Sequence, residues 1–98
     1  MRTRLSATRE RSAQIVKASR IRGLLAGIRR FRKEIDEANA IWLRTVEKEA
    51  RGATKIRYAG NVVPTQELIL ELEWTAVKYY GRIRQAEEEI QALESERN

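Results

Sequence analysis

Residues 21–46, IRGLLAGIRRFRKEIDEANAIWLRTV, decide the fold. Taking every seventh position from the first gives Ile21, Ile28, Ile35 and Trp42, and three residues after each stand Leu24, Phe31, Ala38 and Thr45. Such a 3–4 repeat, held for almost four heptads, marks a long α-helix that presents one apolar seam to a partner helix. The chain supplies that partner, because Ile69, Leu72, Ala76, Tyr79, Ile83, Ala86, Ile90 and Leu93 repeat the same spacing.

If the two helices fold back antiparallel, each a position meets a d position of the other. The layers Ile21–Leu93, Leu24–Ile90, Ile28–Ala86, Phe31–Ile83, Ile35–Tyr79, Ala38–Ala76, Trp42–Leu72 and Thr45–Ile69 then share one register, with residue numbers adding to 114. That register sets Arg51 opposite Val63, a gap that a short connection closes, whereas a parallel pair would need a connection as long as the helix. The flanking positions predict Arg20 beside Glu96 and Glu34 beside Arg82; exposed pairs of this kind contribute about 0.2–1 kcal/mol and select register more than they stabilise. The expected fold is therefore all-α: a single-domain antiparallel two-helix hairpin or coiled coil with a long basic N-terminal helix.

The boundaries follow from local signals. The first helix is expected over residues 6–51, about 69 Å at 1.5 Å per residue, with Ser6 or Thr8 as its cap and Gly52 at the C′ position. Gly23 and Gly27 lie inside it, each costing about 1 kcal/mol relative to Ala; their G-x-x-x-G spacing marks a close approach or a soft spot. Residues 52–65, GATKIRYAGNVVPT, form the connection. Within it Lys55–Tyr58 and Asn61–Val63 flank Ala59-Gly60, and read either as a small β-hairpin or as an ordered loop without pairing. Thr65 is the expected cap of the second helix, over residues 66–96, with Glu67 in its first turn.

The 98 residues include no cysteine and no histidine. A disulfide framework, a Cys/His zinc site and a His-based catalytic base are thereby excluded, and a virion or host-cytoplasm setting is favoured over secretion. The longest unbroken apolar run is four residues, Ala40–Leu43, so no membrane span is expected. The net charge of +6 is unevenly spread. Residues 1–33 hold eleven Arg/Lys against Glu10 alone, and residues 34–98 hold nine against thirteen acids. Such a split fits a nucleic-acid arm or pairing between the halves. An Arg-rich, acid-poor start also fits a mitochondrial transit peptide, the less favoured reading.

Two candidate surfaces emerge. Off the seam near the connection lie Ile41, Leu43 and Val46 on the first helix and Leu70, Trp74, Val77 and Tyr80 on the second. Leu70, Trp74 and Val77 make a second apolar stripe, which the connection must cover in part or a partner must bury. At the other end, the register leaves residues 1–15 beyond the second helix as a basic overhang. Arg2, Arg4, Arg9 and Arg11 there, with Arg22, Arg29, Arg30 and Lys33 on outward positions, suit contact with DNA or an acidic protein surface. A solvated basic face is the alternative for the outward set.

No phosphate-binding glycine loop, H-E-x-x-H or G-x-S-x-G motif occurs. The carboxylate groups Asp36-Glu37 and Glu87-Glu88-Glu89 fall on helix edges beside basic residues and read as charge balance, so no catalytic, cofactor-binding or metal residue is assigned and no small-molecule substrate is expected. Nor does a short recognition helix follow a tight turn as a helix-turn-helix would require.

The order long helix, short hairpin, Thr-initiated helix, carried by Lys55-Ile56-Arg57-Tyr58-Ala59-Gly60-Asn61-Val62-Val63-Pro64-Thr65, then Glu67-Leu68 and Tyr79-Tyr80, resembles small phage head–tail joining proteins of the W type. The likeness spans residues 35–90, and many α-β-β-α hairpins share it. The chain departs from that pattern in its longer first helix and in Pro64. The resemblance implies a ring of subunits on a portal, joined through apolar helix faces. The expected function is accordingly that of a non-enzymatic structural protein that oligomerises or docks through helix faces, in a homo-oligomer or larger assembly such as a phage connector. The alternatives are a nucleic-acid-binding module using the basic helix, and a small phage-encoded inhibitor of a host protein.

Overall fold

A computed structural model of the chain describes residues 4–96, with side chains from Thr8 onward. Helix α1 runs Arg4–Ala50 over 47 residues, strands β1 (Lys55–Tyr58) and β2 (Asn61–Pro64) follow, and helix α2 runs Thr65–Ser95 over 31 residues. The helices pack antiparallel into a rod of 76 × 23 × 14 Å. Helix ends lie within two residues of the expected ones. Ser6 and Thr8 sit inside α1 rather than at its cap, because the helix is already formed at Arg4.

The C-terminus of α1 is closed by a Schellman motif. Gly52 takes φ 98°, its N–H donates to Glu49 O at 2.9 Å, and the Ala53 N–H donates to Lys48 O at 3.0 Å. The chain then enters a true β-hairpin, which settles the two readings of the connection. Lys55 pairs with Pro64, Ile56 with Val63, Arg57 with Val62 and Tyr58 with Asn61. Both central turn residues have positive φ, Ala59 at 51° and Gly60 at 83°, which is the type I′ geometry that matches strand twist. β2 extends one residue past the expected Val63, to Pro64. The ladder continues past the missing N–H of this last strand residue because Thr65 N–H donates to Thr54 O at 3.0 Å.

Pro64, not Thr65, occupies the N-cap of α2, without a side-chain cap bond. Thr65 is instead 2% exposed, and its hydroxyl donates to the Glu49 carboxylate at 3.0 Å, with Ala53 O at 3.4 Å. The hydroxyl thus ties the start of α2 to the end of α1 rather than capping its own helix.

Two apolar clusters fill the interface. The first holds Ile28, Ile35, Ile83 and Ala86, flanked by Leu24, Phe31, Tyr79 and Ile90, all from the expected seam. The second holds Ala38, Ile56, Leu68 and Leu72, with Ile41, Trp42, Tyr58 and Val63 against it. Here the seam departs from a strict heptad: Leu68 is 2% exposed while Ile69 is only half-buried. A 3.6-residue helix drifts about 20° per heptad against a 3.5 repeat, and Ile56 of the hairpin, itself buried, offers Leu68 a wall that a bare helix pair lacks.

The flanking charges also differ from expectation. Arg20 pairs with Glu89, not Glu96, with Nη2 at 2.7 Å and Nε at 3.0 Å from the same carboxylate oxygen. Lys17 reaches the Glu96 carbonyl at 3.4 Å. Arg82 does not pair with Glu34; its guanidinium lies 5.9 Å from the Phe31 ring centre and 5.5 Å from that of Tyr79, which are themselves 5.6 Å apart. Stacking on two rings offers the planar guanidinium apolar contact together with a cation–π attraction.

Candidate interaction surfaces

The hairpin covers only one flank of the seven-residue apolar set. Ile41 packs against the second core cluster and Val46 is half-buried, so each leaves only part of its side chain open. Leu43, Leu70, Trp74, Val77 and Tyr80 remain 53–72% exposed. Leu70, Trp74 and Val77 share the outer face of α2, turned away from the seam, and line one shallow groove with Glu73. Trp74 is the most exposed of them at 72%. Trp42, by contrast, keeps its half-buried seam place and donates its indole N–H to Glu73 Oε1 at 3.2 Å. Two tryptophans equivalent in composition therefore have opposite roles, one in the core edge and one on open surface.

Acidic and basic residues are sorted on either side of that apolar row. Glu67, Glu71 and Glu73 precede or flank it, and Lys78 and Arg84 follow it. Between Leu70 and Arg84 lies Gly81, where an added Cβ would meet nothing within 4 Å.

The basic set divides by face. At 100° per residue Arg11, Arg22, Arg29 and Lys33 fall within about 40° of one another, on the side of α1 away from the seam. They form a stripe about 33 Å long at 1.5 Å per residue, and residues 11–33 contain no acid. All four are exposed, and the two ion pairs among the described residues, Arg20–Glu89 and Arg84–Glu88, leave them out. Arg30 lies beside the stripe, whereas Arg9 projects from another face. Arg2 and the side chain of Arg4 lie outside the described residues.

Lys17 Nζ, 3.4 Å from the Glu96 carbonyl, marks where the end of α2 lies along α1. Ser12, Ala13 and Val16 line a shallow groove with Leu93 and Glu96 at that end. Ile15 and Val16 are nevertheless 60% and 68% exposed. Gly23 shows no close approach, with nothing within 4 Å of a built Cβ, and Gly27 meets only Phe31 Cε2 at 3.9 Å.

What sequence reasoning missed is Leu68 and the Glu49–Thr65 tie. Leu68 stands one residue off the heptad, and only the third wall supplied by β1 makes it a core residue. Among the described residues no helix is long and apolar enough to cross a membrane. Compared with known proteins, the chain matches no family model, no curated protein and no solved structure.

Proposed function

We propose that this chain is a non-enzymatic assembly protein that buries the outer face of α2 against another protein surface, within a homo-oligomer or a larger complex. The observation that carries the reading is the row Leu70, Trp74 and Val77, with Tyr80 beside it, left 57–72% exposed on α2. Burying a side chain of that size is worth roughly 1.5–3 kcal/mol, and aromatic anchors dominate protein contacts. The finer form of the proposal, resting on the resemblance over residues 35–90, is a phage head–tail connector component acting in the virion.

Sedimentation velocity on the purified chain tests the assembly reading. Concentration-dependent association that Trp74→Ser weakens is expected, and a clean monomer at high concentration with wild-type Trp74 refutes the homo-oligomer.

A second reading has its own observation, the acid-free stripe Arg11, Arg22, Arg29 and Lys33. It makes the chain a nucleic-acid-binding module, with α1 laid along the phosphates. Counterion release then makes affinity for duplex DNA fall steeply with salt. Changing Arg22, Arg29 and Lys33 to Gln should flatten that slope; an unchanged slope removes this reading.

A further inference from the structure

We propose that the partner on the outer face of α2 is a second copy of the same helix, lying antiparallel across a two-fold axis near residues 75–76. The proposal rests on the reading of that face as a contact surface and does not depend on the connector assignment.

Two independent observations carry it. The first is the sorting of charge along α2. Glu67 and Glu71 lie toward the start of the apolar row and Lys78 toward its end, while Glu73 is held by the Trp42 indole and Arg84 by Glu88 within the chain. A parallel copy would stack the acidic block on the acidic block, whereas an antiparallel copy sets acid against base at both ends. Residue numbers adding to 151 place Leu70 by Gly81 of the other copy and Trp74 by its Val77. Glu71 and Lys78 stand one heptad apart and so share one flank of this face, and in an antiparallel pair like flanks meet. The Glu71–Lys78 contact therefore forms twice, once on each side of the axis.

The second observation is Gly81. A mid-helix glycine costs about 1 kcal/mol relative to alanine, and nothing within this chain asks for it: φ is not positive there and no atom lies within 4 Å of a built Cβ. On the open face the missing side chain is a notch. In the antiparallel arrangement Leu70 of the other copy fills it, which gives the glycine a packing reason that the single chain lacks.

Such a contact is isologous and closes at two copies. A ring would have to be built through a different surface. Tryptophan buries about 150–250 Å² per side chain, so the two Trp74 rings supply a sizeable part of the roughly 1,200–2,000 Å² of a standard interface.

The test is sedimentation equilibrium at low salt on four chains. Wild type should form a dimer and nothing larger. Lys78→Glu turns two attractive contacts into two repulsive ones and should weaken the dimer about tenfold. The swapped chain carrying both Glu71→Lys and Lys78→Glu should return to within about threefold of wild type, because the pair is restored between copies and not within one. Gly81→Ala should raise the melting temperature of the dilute monomer yet weaken the dimer, opposite signs that a purely structural role for the glycine does not produce. Association that continues past two copies, or a double swap that fails to recover, overturns the antiparallel two-fold and leaves the contact face standing. A wild-type chain that stays monomeric at all concentrations overturns the pairing of like copies and leaves the face to a different protein.

Discussion

Leu68→Ala and Ile69→Ala, made separately, should differ sharply in cost although the residues are neighbours. The heptad assigns the layer at this end of the rod to Ile69, while the structure buries Leu68 to 2% exposure among Ala38, Ile56 and Leu72. Shortening Leu68 to alanine removes the equivalent of three methylene groups, about 2.4 kcal/mol of transfer free energy at about 0.8 kcal/mol each. A cavity term adds to this, because the site has walls on three sides: α1, the neighbouring turn of α2, and β1. The total should reach about 3–4 kcal/mol, inside the range for buried Leu→Ala changes. Ile69 is half-buried at an open edge, where solvent fills the space left behind, so its loss should cost about 1 kcal/mol. In a domain of this size 1 kcal/mol shifts the midpoint by about 4–8 °C. Thermal melts followed by far-ultraviolet circular dichroism should therefore drop by more than about 12 °C for Leu68→Ala and by less than about 8 °C for Ile69→Ala. Equal losses, or a larger one at Ile69, would refute the hairpin-walled core and restore the plain two-helix seam.

Three further outcomes follow from local geometry. Ala59→Asn should stabilise the fold by about 0.5–1 kcal/mol in urea unfolding, because Ala59 holds φ 51° and Asn-Gly is the favoured type I′ pair. Gly23→Ala should add about 1 kcal/mol on the same assay, since the helix gains propensity and the new methyl meets open space. Arg20→Gln should cost no more than about 1 kcal/mol, and the loss should fade above roughly 0.5 M salt, because both partners of the Arg20–Glu89 pair are largely solvated.

Antiparallel pairing, the central layers around Ile28, Ile35, Ile83 and Ala86, and the Gly52 terminator were legible because each rests on local chemistry repeated along one helix. Periodicity reports which face is apolar, and the connection length forces the direction. The end of the rod was less legible for a physical reason. There a third element packs on the pair, and helix periodicity has no term for a wall arriving from elsewhere in the chain. Ile41 reads as off-seam on that account, though it packs half-buried against the second cluster, and Leu68 stands outside the repeat. Long side chains at the rim misled differently: Arg20 and Arg82 have reach enough to choose among partners, and a carboxylate one heptad away or a pair of rings won. Of the candidate surfaces, the α2 row could be read as apolar and off-seam, but its exposure depended on where the hairpin came to rest.

The two surfaces lie on opposite sides of the rod, since the basic stripe of α1 and the apolar row of α2 both face away from the shared seam. Neither partner would block the other, and pairing through α2 would place two basic stripes on the outside of one particle. If α1 binds DNA, the dimer engages through two stripes, and linked contacts hold more tightly than either alone. Lys78→Glu should then weaken DNA binding from the far side of the molecule. Lowering the positive charge would do some of this by itself, so two comparisons are needed. Lys55→Glu makes the same change of charge on the hairpin without touching the α2 row. The Glu71→Lys, Lys78→Glu double swap keeps the wild-type net charge and should recover affinity along with the dimer. Binding that tracks net charge across all three chains, and ignores their association state, would show that the two faces act independently.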